Sequence, residues 1–405
     1  MGEISFLIGS GFSHPAGYPI ATCLNRKLRQ IKASEITIHT SGSARFLNKG
    51  ENDPFRIPFI PRDGQREFVE AFLKFYTSTI IGDAEKFEYE EFFDYYIDLF
   101  GKSRHSQEEE KFFTSFREHS VLYRPVLESQ LIANFDRTFQ QLIADLLAIR
   151  ESPCKLKPYD GFLALLNDLS RTVTVHFHTL NHDTFFEHLH ESGQIESEIC
   201  DGFDENDSTY SGPIGKGETK TMVKLPMFRN RFGKGIRLYK LHGSIDFYRV
   251  EEYRERREVP VGPEYSATGE CDFVRHKRGV DIEHLKREGE NVLRYMPYVV
   301  PSFLTGQKTK SKNYGGPYYR DVFDHFTENL RRSRALIVVG YGWRDKGINE
   351  DIKKYFCAGP RKRPLLVVDL DDKSTSLIPC RTFQLFKGGV ESASYDTLRA
   401  ALSQD

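Results

Sequence analysis

The chain of 405 residues carries 57 Lys plus Arg against 58 Asp plus Glu, and is 39% hydrophobic and 28% charged. That length fits two or three domains, or one large α/β domain with insertions, and the composition excludes a wholly disordered chain. The balanced charge excludes global steering onto nucleic acid or an anionic membrane, so direct nucleic-acid binding is not indicated. Apolar runs such as 4–8 and 335–339 fall far short of the roughly 18 residues that span a bilayer.

Met1 leads into a strand-like run with no basic region or cleavage site, so no secretory signal is expected and a cytoplasmic location is. Cys23, Cys154, Cys200, Cys271, Cys357 and Cys380 contain no C-x-x-C pair. They read as mostly reduced thiols, without a disulfide scaffold or a zinc site.

Residues 3–8 form an apolar run ending at Gly9-Ser10-Gly11, the pattern of a buried parallel strand entering a tight turn. Leu24 and Leu28 predict a helix after that turn. Residues 34–66, rich in Ser, Gly, Asn and Pro, read as loop. From about 65 to 150 the period is helical. Phe92, Tyr95, Tyr96 and Leu99 share one face, as do Leu127, Leu131, Phe135, Phe139, Leu142, Ile143 and Leu146. These aromatic stripes read as core rather than as a cofactor site.

Beyond residue 155 the rhythm changes to strands at 172–177, 236–241, 335–339 and 365–370, with helices near 317–332 and 346–356. Strands alternating with helices imply an α/β fold, a Rossmann-like parallel sheet covered on both faces. The expected organisation is one discontinuous unit, residues 1–30 and 155–405, interrupted by a mainly helical insertion, 31–154, serving as lid or assembly surface. Segments 195–232 and 250–290 read as polar excursions without cores. The charge runs Tyr253–Arg257 and His276–Arg287 read as solvated faces.

Four segments fall at predicted strand ends, where open α/β sheets bind ligands. At Gly9-Ser10-Gly11-Phe12-Ser13, glycines let a diphosphate approach backbone amides, although a tight structural turn fits equally well. Asn181 can orient a ribose hydroxyl or a water, while Asp183 can accept from an amide or cap the helix that follows. His242 beside Gly243 suits a general base or a ribose partner. Gly340 and Tyr341 follow a third strand, and Asp369 closes a fourth as a ribose partner or a plain strand terminator. His176, His178, His182, His188 and His190 crowd one stretch, but no H-E-x-x-H or C-x-x-C accompanies them and no metal is expected. Walker and G-x-S-x-G motifs are also lacking.

In this order the segments resemble the sirtuin family. Residues 9–19 are similar to its G-A-G-x-S-x-x-x-G-I-P loop, with Ser10 at the alanine position and Tyr18 at the isoleucine position. Leu180-Asn181-His182-Asp183 resembles T-Q-N-I-D, and Leu241-His242-Gly243-Ser244 matches L-H-G-S, whose histidine is catalytic in the family. Residues 340–345 with Ile348-Asn349 resemble the prokaryotic G-Y-S-F-x-D-x-x-I-N signature. Deacylating sirtuins carry two C-x-x-C pairs, which are lacking here, and Ile20-Ala21-Thr22 replaces their D-F-R. The pattern is therefore similar to the sirtuin-like effectors of bacterial anti-phage systems, which hydrolyse NAD to nicotinamide and ADP-ribose.

The resemblance implies Asn181 and His242 as catalytic residues. It implies NAD contacts from Gly9, Ser10, Gly11, Phe12, Ser13, Asp183, Gly340, Tyr341 and Asp369, with NAD as substrate. It further implies a homo-oligomer with a co-encoded partner such as a HerA-type ATPase or a short Argonaute. A protein deacylase or ADP-ribosyltransferase, and a non-catalytic NAD or ADP-ribose sensor, are the alternatives.

Overall fold

The computed structural model describes residues 2–38, 44–47, 63–101, 104–119, 128–148, 156–215, 220–252, 271–277, 280, 285–288, 295–306, 317–358, 363–370 and 375–403. Its centre is a parallel sheet of seven strands: β1 (Glu3–Ile8), β2 (Thr174–Thr179), β3 (Ile199–Cys200), β4 (Ile236–Lys240), β5 (Ala335–Val339), β6 (Leu365–Asp369) and β7 (Gln384–Lys387). The spatial order is β7-β6-β5-β1-β2-β4-β3, every pair parallel. The chain moves to one side of β1 through β2, β3 and β4, then to the other through β5, β6 and β7. The switch point of this Rossmann-like α/β fold therefore lies between β1 and β5.

Strand periodicity decides which side chains each face buries. Ile4, Phe6 and Ile8 of β1, Val175 and Phe177 of β2, and Ala335, Ile337 and Val339 of β5 pack under helices Asp160–Thr172 and Tyr395–Leu402. Leu7, Tyr239, Leu336 and Val338 face helix Pro317–Arg332 on the other side. Each such apolar side chain contributes about 1.5–3 kcal/mol on burial. Arg363 locks the second layer by donating to the carbonyls of Leu330, Arg331 and Ser333, and to those of Tyr355 and Phe356. One guanidinium thus serves the carboxyl ends of two helical segments, whose last carbonyls lack intrahelical donors.

A second core is helical. Helices Asp63–Phe75, Tyr89–Gly101, Gln107–His119 and Glu128–Leu147 bury Phe68, Phe72, Phe92, Tyr96, Phe135 and Phe139. Phe72 and Phe92 each meet Phe135 edge-on. The expected stripes are core at Phe92, Tyr96, Leu99, Phe135, Phe139, Leu142 and Ile143, whereas Leu127, the Leu131 side chain and Cys154 lie outside what is described. Leu24 and Leu28 of helix Ala21–Arg29 join this core, as does Phe303.

Three expectations change. Within 34–66, Ile36–Ile38 pairs antiparallel with Ala44–Phe46 rather than staying loop. Segments 195–232 and 250–290 are not coreless excursions. Strands Gly202–Asp204, Met227–Arg231, Gly243–Glu252, Cys271–Arg275 and Tyr295–Phe303 form an antiparallel sheet, and Tyr210–Ile214, Thr221–Lys224 and Lys286–Arg287 a smaller one. Tyr210, Leu225, Val250, Val274, Val280 and Leu285 make a small core among them. Strands with one apolar and one solvated face look polar in composition, which hid them. The run 276–287 accordingly holds buried Val280 and Leu285, whereas 253–257 lies outside the described residues. Finally, Cys357 and Cys380 are disulfide-bonded, because a helix end and the segment after β6 bring their Cα atoms to 5.4 Å. Cys23, Cys200 and Cys271 are free. Among the described residues no helix is long and apolar enough to cross a membrane.

Candidate active site at the carboxyl edge of the sheet

Strand register lines the predicted segments along one edge. Ile8 is level with Thr179 and with Val339, Val339 with Val368, and Lys240 with Thr179. One step further, Gly9 therefore lies between Leu180 and Gly340, and Gly340 beside Asp369. Asn181 and His242 each stand two residues beyond neighbouring strands, whose spacing is about 4.8 Å.

The glycines are required where β1 meets β5. Gly9 N–H donates to the Val339 carbonyl and Gly11 N–H to the Gly340 carbonyl, each at 3.0 Å. A Cβ on Gly340 would sit 2.4 Å from the Phe12 nitrogen, and one on Gly9 2.5 Å from the Gly340 oxygen. Gly340 also has φ +62°, a region open to glycine and costly for other residues. Phe12 N–H is bonded to the Gly9 carbonyl at 3.0 Å. The amides of Gly9, Gly11 and Phe12 thus serve the turn itself, and the Phe12 ring packs among Tyr159, Phe162 and Phe185. Tyr159, which the sequence did not single out, donates its hydroxyl to the Phe12 carbonyl at 2.6 Å. Ser10 opens the single-turn helix Ser10–Ser13 at intermediate exposure.

Next to this turn lies a buried polar triad. Asn181 Nδ2 donates to the Gly9 carbonyl (3.1 Å) and to Ser13 Oγ (3.2 Å), which leaves Oδ1 as the amide group to offer a ligand. Ser13 Oγ donates to Asp183 Oδ2 at 2.7 Å, and Phe185 N–H to Asp183 Oδ1 at 3.1 Å. Asp183 thus braces both Ser13 and the start of helix Phe185–Glu191. Burial raises its pKa against the opposing pull of Lys240.

Lys240, the last residue of β4, is 2% exposed. Its Nζ donates to the Asp183 carbonyl (2.6 Å) and to Ser244 Oγ (2.8 Å), and lies 2.9 Å from Glu187 Oε1. Arg275 extends the network to Glu187 (3.1 Å), Asp246 (3.0 Å) and Asp201 (2.5 Å). Burial raises the Glu187 pKa, whereas Arg275 and Lys240 overcome the burial of Asp246 and lower that of its carboxyl. The sequence signal for Lys240 was a lysine at the end of a predicted strand, directly before Leu241-His242. Nothing local marked Glu187, Asp201, Asp246 or Arg275.

His242 is 3% exposed, its ring centre 6.1 Å from that of His182. Its Nε2 lies 3.3 Å from Asp345 Oδ2. Tyr341 is buried and its hydroxyl donates within its own loop. Asp369 ends β6 with Oδ1 accepting from Leu370 N–H at 2.7 Å, while its carbonyl accepts from Gly388 and Gly389. Those are the bonds of a strand terminator. Asp369 stands two strand spacings, roughly 10 Å, from the β1 end, as does the end of β4 on the other side.

His176 and His178 lie within β2, under helix Pro317–Arg332. Among the described residues, no group of three or more His, Cys, Asp or Glu side chains is arranged to hold a metal.

No protein-family model matches the chain, and neither does any curated protein. Solved structures similar to it include a Sir2 enzyme studied for the structural basis of its mechanism and regulation. That one is 10% identical, with 99% of this chain and 92% of that chain covered and a TM-score of 0.36. Another is Sir2Tm bound to a propionylated peptide, 12% identical, with 99% and 94% covered and a TM-score of 0.33. The fold assignment rests on the sheet's own strand order.

Proposed function

We propose that this chain is an NAD glycohydrolase, cleaving NAD to nicotinamide and ADP-ribose. The observation that carries the reading is convergence. Four segments that resemble sirtuin motifs meet at one sheet edge beside the topological switch, with Asn181 and His242 at adjacent strand ends.

The chemistry suits such a site. The nicotinamide leaves as a neutral ring from a cationic one, so bond breaking needs little acid assistance. What it needs is a water held at the ribose carbon and stabilisation of a cationic ribose, tasks for position and electrostatics. In this reading Asn181 Oδ1 orients the water or the ribose hydroxyls, and His242 takes the proton released as the water oxygen bonds to carbon. Asp183 holds the turn through Ser13 and has further acceptor capacity on its carboxylate for the carboxamide N–H. Ser10 and the Gly9–Ser13 turn flank the diphosphate, with Gly340, Tyr341 and Asp369 on the adenosine side.

The toxic-effector role, the homo-oligomer and a co-encoded partner belong to the same proposal, since unregulated NAD cleavage would harm its own cell. The helical part at 31–154 is then the lid or assembly surface. It reaches the site's surroundings through Arg344, 3.8 Å from Glu88, and Phe303, whose ring centre lies 4.9 Å from that of His182.

Purified protein incubated with NAD and resolved by chromatography tests the reading. Nicotinamide release is expected, and Asn181→Ala should lose it by on the order of 10²-fold or more while still unfolding cooperatively, at a melting temperature lowered by the loss of its two buried hydrogen bonds. Binding without release would favour a sensor. Release only with an acylated or acceptor peptide would favour a deacylase or transferase.

A further inference from the structure

The loop after β5 is braced far beyond what a strand end needs. The Tyr341 hydroxyl donates to the Asp345 carbonyl (3.2 Å) and to Asn349 Oδ1 (3.1 Å), and Asn349 Nδ2 donates to the Trp343 carbonyl (2.8 Å). Asp345 Oδ1 caps helix Lys346–Asp351 by accepting from Ile348 N–H at 3.1 Å. Between these braces, Trp343 is 1% exposed, has φ +56°, and its Nε1 has no hydrogen-bond partner among the described residues. A bulky residue in the left-handed region costs about 1–3 kcal/mol, and such strain persists only where surrounding contacts over-determine it. What the loop holds forward is the second oxygen of Asp345, in ionic contact 3.3 Å from His242 Nε2 though outside hydrogen-bond geometry, with both side chains largely buried.

We infer that Asp345 is the positioning residue of His242, its carboxylate fixing the imidazole through Nε2 so that Nε2 carries the proton and Nδ1 is the nitrogen able to accept one. The inference deepens the proposed function, since it rests on His242 as the base. It also gives the 340–349 segment a task apart from contacting adenosine: Tyr341, Trp343 and Asn349 shape the loop, and Asp345 is what the shape delivers. One carboxylate divides its oxygens between a helix N-terminus and an imidazole. The capping bond therefore sets the direction of the catalytic contact. A carboxylate on one ring nitrogen selects the tautomer at the other.

The test reads the ring nitrogens directly. In protein labelled with nitrogen-15 at histidine, the His242 signals are those lost in His242→Gln. At neutral pH the wild type should show a protonated Nε2 and an unprotonated Nδ1. Asp345→Ser keeps a side chain able to cap Ile348 but too short to reach His242, and it should shift His242 to mixed tautomers. With NAD, kcat should fall on the order of 10²-fold while KM changes less than about threefold. If the serine variant fails to fold, Asp345→Asn preserves both cap and size and tests the charge alone. A wild-type His242 protonated at Nδ1, or His242 signals identical in wild type and the folded variant, would overturn the inference. A wild type inert toward NAD would overturn the proposed function but not the pair, which the nitrogen signals decide without substrate.

Discussion

The polar residues inside the central strands and those just beyond their ends differ in what partners them. Ser5, level with His176 on β1 and β2, bonds Ser333 at 2.7 Å, and Asn329 lies 3.4 Å from His178. Ser333 and Asn329 belong to helix Pro317–Arg332 or the residue after it. Burial lowers the His176 pKa to about 3, with Arg237 and Arg332 adding to it. Glu3 lies 3.3 Å from His176 Nε2, but its carboxylate also serves Arg332, so burial prevails. Beyond the strand ends, by contrast, Ser13, Asn181 and Asp183 bond one another and the turn backbone across strands, and Asp345 lies 3.3 Å from His242. The interior polar residues are thus covered and partnered by a helix, whereas those beyond the strand ends partner the turn, and a carboxylate stands 3.3 Å from a histidine in both places.

The sharpest way to break this contrast is to remove the cation under the edge. Lys240→Met would leave Glu187 buried against fewer positive charges and free the Asp183 carbonyl from its donor. A loss of about 3–5 kcal/mol is expected in chemical denaturation, and a loss below 1 would mean that Arg275 alone holds the cluster.

Gly340→Ala attacks the meeting of β1 and β5. The left-handed backbone and the 2.4 Å approach to Phe12 should together cost about 3 kcal/mol in thermal unfolding. An Ala at Gly342, whose Cβ would meet nothing within 4 Å, should be nearly neutral by the same measurement.

The smallest effect tests the interior. His176 has its pKa near 3 when folded and about 6.5 when unfolded, so below pH 6.5 the unfolded chain binds the extra proton. Stability should be retained above that pH and fall as pH drops toward 3, by about 2 kcal/mol between pH 7 and 5. His178, also lowered by burial, adds in the same direction. His176→Gln should flatten this slope, and an unchanged slope would show that the interior histidines titrate as freely as exposed ones.

The parallel sheet and the helical stripes were legible because their periods are local. Ala335–Val339 alternates between two faces, and Phe92, Tyr96 and Leu99 repeat at helical spacing, so a few neighbouring residues carry the signal. The antiparallel strands at 202–303 were not, since half of each short strand is solvated and its apolar partners lie far along the chain. Asp183 shows both cases: its bond from Phe185 N–H at the start of the helix is local, while its bond from Ser13 joins residues 170 apart, across the whole helical part.

By itself the sequence determined the strand ends and the residue types waiting there: the glycine turn, Asn181, Asp183 and His242. Only the tertiary structure decided what those residues do to one another. It engaged the turn amides internally, set Lys240 beneath Asp183, joined Cys357 to Cys380, and aimed Asp345 at His242. The physical reason is range. Backbone preference and burial period act over a few residues, whereas the partner of a buried charge is whichever group the crossovers of the sheet bring within a few ångströms.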